Sequence, residues 1–567
     1  MDDPDRPTKR TKLSNTTDSS LPGTNNDDNH HVPLASLHRS ITPPSLSRAT
    51  HHNNVFPPQP QPNNNINLNF NTNTNNKKEK KILPSPIQLT HIRDLPTTHN
   101  TSTLRLRDIL SSPLIRECWQ FNYLFDVDFL MNQFDEDVRH LVKVKVVHGS
   151  WKKEADNRVR IDEACTRYPN VEAITAYMPE PFGTHHSKMM VLVRWDDVVE
   201  VVIHTANMIP GDWTNMTQAV WRSPLLPLST SPRGQGDVGP GGKFKRDLLS
   251  YLRAYGPKKT GSLVEQLEKY DFGAVRAALV ASVPSKVKMG GYDEIKTWWG
   301  WLGLRDVLRS VPVSPSSTEG DKKKGGPHIV TQISSIATLG QTSKWLNDVF
   351  FTSLAPSSQA PDTPRSKPTF SIIFPTPDEM RRSLNGYGSG GSIHMKLQSA
   401  AQQKQLQYLR PYLCRWAGDE NTDRDAGRRR AAPHVKTYIR YATEEMDRID
   451  WAMVTSANLS TQAWGAAVNG NGEVRVCSWE IGVVVWPELL GAEGSEDAKG
   501  SGNTVMIPCF RTDTPDAAAA AAVDADTVIG FRMPYDLPLT RYTADDIPWC
   551  ATASHSEPDW LGQTWED

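Results

Sequence analysis

One unit occurs twice in this chain, and any fold the chain adopts must house both copies. The first, GTHHSKMMVLVRWDDVVEVVIHTAN, runs from Gly183 to Asn207. His186 and Lys188 are two residues apart, so on an extended backbone both side chains point to one face. Met189–Val193 and Val198–Ile203 read as buried strands joined by a polar turn at Arg194–Asp197. In the second copy, PHVKTYIRY…IDWAMVTSAN, His434 and Lys436 repeat the spacing and a strand again ends in Ala-Asn, at Asn458. The histidine-to-asparagine separations are 21 and 24 residues, and a tryptophan follows each asparagine by six, Trp213 and Trp464. A single His-x-Lys is common by chance. Two copies, each followed by a strand and Ala-Asn, describe a duplicated half-site, and two pseudo-symmetric domains meeting at one pocket is the economical arrangement.

The rest of the 567 residues fits that frame. Alternation over Val142–Gly149 predicts a strand, and Ile295, Trp298, Trp299 and Leu302 fall at helical spacing. Strands mixed with helices predict an α/β fold, with helices covering mixed sheets. The expected organisation is a low-complexity, disordered tail over 1–102, a first domain over 103–290 and a second over 291–567. Disordered loops are expected near 312–327, 357–368 and 491–526, although the Ala run in the last could also form a short helix. Six scattered cysteines without a CxxC pair argue for reduced thiols. No apolar run approaches 18 residues, so no membrane span is expected. Net charge is −1, so any basic surface for nucleic acid must be local. Two basic clusters, Arg6–Lys12 and Lys77–Lys81, read either as solvated charge or as nuclear import signals. Arg428–Arg430, just before the second motif, read either as a solvated run or as contacts to DNA phosphates.

Two half-sites bring together two imidazoles, two ammonium groups and two carboxamides. Lys188 and Lys436 supply positive charge, while Asn207 and Asn458 supply neutral donors, a set suited to the non-bridging oxygens of a phosphodiester. One histidine can attack phosphorus and the other protonate the leaving oxygen. A metal site is the competing reading, since histidine is a common ligand. A lysine beside each histidine would repel a dication, and no carboxylate cluster accompanies either copy. No cofactor and no metal are expected. A purely structural role, each histidine hydrogen-bonded at a strand end, would fit either copy alone better than it fits the pair.

These motifs resemble the phospholipase D superfamily, whose paired HKD motifs form one active site. The usual HxKx4D pattern is incomplete here, because Val193 and Tyr441 stand where its aspartates would. An aspartate-free HxK…N pair resembles the tyrosyl-DNA phosphodiesterase family. FNYLFDVDFL, PFGTHHSKMM, VVIHTANMIPGDWTNMTQAVW, PHVKTYIR, VTSANLSTQAWG and SWEIGVV all look like that family's blocks, across most of 103–567. The resemblance implies that His186 is the nucleophile and that His434 is the general acid and later the general base. It implies that Lys188, Lys436, Asn207 and Asn458 hold the phosphate. Gln218 and Glu480 match partners of the two histidines, and Phe182, Ser334 and Ser335 match positions that contact DNA.

A carboxylate favours imidazolium more than an amide does. The expected pairing is therefore Glu480 beside His434, the proton donor, and Gln218 beside His186, the nucleophile. The implied activity is metal-independent hydrolysis of the bond between a DNA 3′-phosphate and a tyrosine of stalled topoisomerase I, by a nuclear, monomeric repair enzyme. Two other readings share the histidines: a phosphodiesterase acting on lipid or other nucleic-acid diesters, and a non-catalytic scaffold with this fold.

Overall fold

The computed structural model describes residues 80–230, 239–289, 296–314, 325–356, 367–491 and 503–566. Residues 76–567 form one compact unit. Its frame is a pair of mixed sheets with the same strand logic. In the first, β1 (Ile115–Phe121), β2 (Lys143–His148) and β3 (Val171–Thr175) are parallel. β4 (Met189–Arg194) runs antiparallel beside β1, and β5 (Val198–His204) antiparallel beside β4. In the second, β6 (His328–Gln332) and β7 (Thr369–Ile373) are parallel. β8 (Thr437–Tyr441) lies antiparallel to β6, and β9 (Ile449–Thr455) antiparallel to β8. Each His-x-Lys thus enters the middle of its own sheet.

The strands carrying the repeat read as continuous apolar runs because both faces are covered. Met189, Val191 and Val193 of β4 join Val454, Ile481 and Val483 of the second sheet in one core between the sheets. Met190 and Leu192 face the other way, onto Leu106, Ile109, Leu130 and Ile161 of the outer helices. In the second sheet Ile439 turns inward, while Tyr438, Trp451 and Met453 pack with the helix Trp301–Ser310. The layers are helices, sheet, sheet, helices. That is the expected α/β class, with a mixed sheet flanked by helices in each half.

Several boundaries differ from the sequence reading. Residues 1–79 of the expected tail, and most of the cluster Lys77–Lys81, lie outside the described residues, but the fold begins well before 102. Lys81–Leu83 pairs in parallel with β12 (Thr527–Arg532), and Ile87–Leu89 pairs with Ala219–Arg222. The 290/291 division is also displaced, because Ala278–Ser282 pairs with β10 (Glu480–Val485) of the second sheet.

The expected loop 491–526 contains β11 (Thr504–Cys509), which pairs with β12 along its whole length. The Ala run is a helix, Ala517–Ala522. Asp516 caps its N-terminus by accepting from Ala519 N, and Lys80 Nζ donates to the carbonyls of Ala520 and Val523 at its other end. A cation on the C-terminal carbonyls complements the helix dipole, so Lys80 belongs to the fold rather than to an open import signal. Residues 315–324 and 357–366, the bulk of the other two expected loops, lie outside the described residues.

The amphipathic helix expected from Ile295 begins at Trp301 instead, and Ile295 itself is not described. Gly300 holds φ +62°, and a Cβ there would fall 2.1 Å from the Trp464 carbonyl oxygen. The chain must cross the second half-site's tryptophan at that point, which ends any helix running through Trp298 and Trp299.

Candidate active site

Each His-x-Lys segment docks by its backbone onto the other half. His186 N donates to Trp479 O at 2.9 Å, and Trp479 N donates to Thr184 O at 2.9 Å. In the second half, Ala432–Pro433 pairs in parallel with Met216–Thr217, and Val435 N donates to Thr217 O at 2.8 Å. The residues that follow these docking segments are Glu480 and Gln218. Glu480 opens, and Gln218 immediately precedes, the strand next to the Ala-Asn strand of its own sheet, so they are structurally equivalent.

This docking crosses the histidine partners and overturns the expected pairing. Glu480 Oε2 accepts from Nδ1 of His186, not of His434, at 3.0 Å. The Gln218 amide lies against Nδ1 of His434, with Nε2 at 3.0 Å and Oε1 at 3.3 Å. Residues that share a sheet point across the interface, whereas the charge argument had paired each with the histidine of its own half.

A hydroxyl from each Ala-Asn strand secures the pair. Thr205 Oγ1 donates to Gln218 Oε1 at 2.7 Å, and Ser456 Oγ donates to Glu480 Oε2 at 2.5 Å.

The sequence reading missed Asp212. Its Oδ2 lies 3.1 Å from His434 Nδ1, and it also accepts from Asn207 N at 2.6 Å and Gln218 Nε2 at 3.3 Å. Both histidines therefore have a carboxylate at Nδ1, and a carboxylate can only accept, so Nδ1 carries the proton and Nε2 is left for chemistry. A signal was present. Asp212 precedes Trp213 in NMIPGDW, where the second copy, NLSTQAW, has Ala463 before Trp464. The asymmetry between the copies marks the residue that the second half does without.

The cations sit deeper. Lys188 and Lys436 are buried, each donating to the carbonyl of the histidine two residues earlier. Burial pushes Lys188 down to about 8, and burial together with the Lys188 charge pushes Lys436 well below the usual lysine range. Burial also lowers His186, against the upward pull of Glu480, and lowers His434 to about 3 with help from Lys436. Burial alone would raise Asp212, but His434, the Asn207 N–H and Lys436 hold it below the usual carboxylate range. An anion entering the pocket would stabilise the two lysines and the two histidines in their charged, donating forms.

Asn458 Oδ1 accepts from the backbone N–H groups of Ser334 and Ser335, both at 3.0 Å, and Ser334 Oγ lies 3.3 Å away. The structure thus brings these serines to the second half-site. Asn207 is buried beside Asp212, with no partner for Oδ1 among the described residues. Phe182, four residues before His186, is 77% exposed. Tyr123 lies beside His186, with ring centroids 5.6 Å apart.

The expected DNA-facing arginines are mostly engaged elsewhere. Arg428 is buried, Arg429 is paired with Asp536, and Arg430 lies over the Trp560 ring at 5.4 Å. Among the described residues no group of three or more His, Cys, Asp or Glu side chains is placed to hold a metal ion. No helix among them is long and apolar enough to cross a membrane.

Asp212→Asn tests the carboxylate at His434. A charge-assisted hydrogen bond is worth about 1.5–3 kcal/mol, so kcat/KM should fall by roughly ten- to a hundredfold. Asp212 raises the pKa of His434, so its removal lowers that pKa further. Where protonated His434 limits the rate, the alkaline limb of the pH profile should then move to lower pH. A profile measured on both enzymes decides; equal limbs would detach Asp212 from the proton on His434.

Comparison with known proteins agrees with this geometry. A model of the family described as tyrosyl-DNA phosphodiesterase matches residues 86–543. A probable tyrosyl-DNA phosphodiesterase of Schizosaccharomyces pombe is 30% identical over 548 residues, covering 86% of this chain and 97% of that protein. Tyrosyl-DNA phosphodiesterase 1 of Arabidopsis thaliana is 29% identical over 504 residues, covering 85% and 77%. The crystal structure of the yeast tyrosyl-DNA phosphodiesterase matches with a TM-score of 0.55 at 21% identity, covering 82% of this chain and 98% of that one, a likeness of fold.

Proposed function

The chain belongs to the tyrosyl-DNA phosphodiesterase family, phosphoric diester hydrolases of the phospholipase D superfamily, and from that premise we propose that it releases topoisomerase I peptides from DNA 3′ ends. His186 Nε2 attacks phosphorus, and the bond from phosphorus to the tyrosine oxygen breaks. His434 supplies the proton to that oxygen. Water then attacks the phosphohistidine while His434 takes its proton. The P–N bond breaks, leaving a DNA 3′-phosphate and free His186.

The observation that carries this reading is Glu480 on Nδ1 of His186. With Nδ1–H held by a carboxylate, the Nε2 lone pair is directed outward, and the ring becomes cationic once phosphorylated there. Glu480 is positioned to stabilise that cation, the same logic by which a buried carboxylate supports a catalytic imidazolium. Asp212 is already shared among three donors, so it holds His434 less tightly in one charge state, which suits a group that must give and then take a proton.

Lys188, Lys436, Asn207 and Asn458 take the non-bridging oxygens. Ser334 and Ser335 on one side, and exposed Phe182 on the other, are the proposed contacts for a single DNA strand. The enzyme acts as a monomer, because both half-sites are in one chain.

Hydrolysis of a 3′-phosphotyrosyl oligonucleotide should continue in excess chelator, because lysines rather than a metal balance the phosphate, while phosphatidylcholine should remain intact. Loss of turnover in chelator, restored by added zinc or magnesium, would falsify the metal-free scheme; turnover of the lipid alone would assign a different substrate.

The enzyme is nuclear in this reading, directed by Arg6–Lys12, which lies outside the described residues. Neutralising that cluster should reduce nuclear accumulation in imaged cells, and an unchanged distribution would remove the assignment.

A further inference from the structure

We infer that the fold contains a second anion site, separate from the catalytic pocket, in which Arg428 and Arg532 bind a small tetrahedral oxyanion such as inorganic phosphate or sulfate. Arg428 is 1% exposed, and Nε, Nη1 and Nη2 of its guanidinium all lack a hydrogen-bond partner among the described residues. Arg532 is fully buried nearby. Its Nη1 donates to Thr101 O at 2.9 Å and to Asp513 Oδ1 at 3.1 Å, while its Nε is unpartnered. His99 joins the two. Its carbonyl accepts from Arg532 Nη2 at 3.5 Å, and its ring lies against Gly427, the residue before Arg428. A Cβ on Gly427, at φ +73°, would come within 3.0 Å of His99 Cγ and 3.2 Å of Nδ1, and the ring hydrogen-bonds to the Gly427 backbone.

Four buried nitrogens on the two arginines thus lack acceptors, with one carboxylate, Asp513, to offset two guanidinium groups. An isolated buried charge is strongly unfavourable, and buried polar groups in folded proteins are almost always paired. Burial and the Arg532 cation push Arg428 down to about 9, the direction expected of a guanidinium short of counter-charge. The planar fork of an arginine with all its donors free matches the edge of a tetrahedral oxyanion.

The location gives the site a consequence. Arg428 stands six residues before His434, on the segment that leads into the second His-x-Lys, while His99 lies between Ile87–Leu89 and β1 of the first sheet. An anion here would fasten the His434 approach to the N-terminal segment and to β12 without touching the catalytic pocket.

The test compares thermal unfolding of the full-length wild-type enzyme and Arg428→Met in inorganic phosphate, in sulfate and in chloride at equal ionic strength. The catalytic pocket is common to both proteins, so phosphate bound there shifts both alike. A ligand that binds only the native state raises the midpoint by mass action. Phosphate and sulfate should therefore raise the wild-type midpoint more than that of the variant.

Without oxyanion the order should reverse, because methionine removes an uncompensated buried charge. Equal shifts in the two proteins, or equal effects of chloride and phosphate, would overturn the site. So would a wild type more stable than the variant in every buffer, which is the result expected if buried water satisfies Arg428. Arg428→Gln serves the same comparison should Arg428→Met fail to fold.

Discussion

His186→Ala should lower turnover of a 3′-phosphotyrosyl oligonucleotide by about 10⁴–10⁶-fold, the range found when an essential nucleophile is deleted. That loss corresponds to about 5–8 kcal/mol of transition-state stabilisation. Lys188 does not replace the nucleophile, because its Nζ is directed to the His186 carbonyl. The variant should still fold, because His186 is a partly exposed side chain at a strand entry whose backbone bond to Trp479 does not depend on the ring. It should bind substrate and form no covalent complex. Single-turnover kinetics with labelled DNA checks both points, and a loss of only tenfold would mean that water attacks directly.

His434→Ala should fail differently, by accumulating enzyme on DNA. Tyrosine leaves as a phenolate of pKa about 10, so the first step tolerates the loss of its proton donor. The second step requires water activated by a base, and removing a general base costs on the order of 10²–10⁴-fold. Cleavage should then outrun hydrolysis. The electrostatics of the free site point the same way, since burial and Lys436 favour neutral His434, the form needed as a base. Denaturing gels should show a protein–DNA adduct that is acid-labile, as phosphoramidates are. It should be absent from the His186→Ala/His434→Ala double variant, and its appearance there would place the covalent bond on another residue.

The half-sites themselves were legible in the sequence because their signal is local. Apolar runs mark β4 and β5, the repeat extends the reading to β8 and β9, and duplication identifies His186, Lys188, Asn207, His434, Lys436 and Asn458 without any knowledge of contacts. Which partner serves which histidine was not legible. Glu480 lies 294 residues from His186, and only the docking of Thr184 and His186 on Trp479 brings the two together. The pairing expected from the charge argument would have kept each partner within its own half.

Asp212 was hidden for a related reason, since its function depends on an imidazole from the other domain. The Ala run is low in complexity, yet its ends are fixed by Asp516 and by Lys80, a residue more than 400 positions away. Arg428 shows the limit of composition most clearly. Three consecutive arginines suggest a surface, but the first of them is buried and the second is ion-paired.

The central claim is that one pocket, completed by both halves, makes its covalent bond at His186 Nε2. The direct measurement is to trap the adduct on His434→Ala enzyme, digest it at neutral to alkaline pH, and map the phosphorylated or nucleotide-bearing peptide by mass spectrometry. The modification should fall on His186, in the peptide containing PFGTHHSK, with His185 unmodified because its ring is held by Asn122 O and Tyr255. A modified His185, a modified lysine, or no covalent adduct at all while hydrolysis continues would contradict the account.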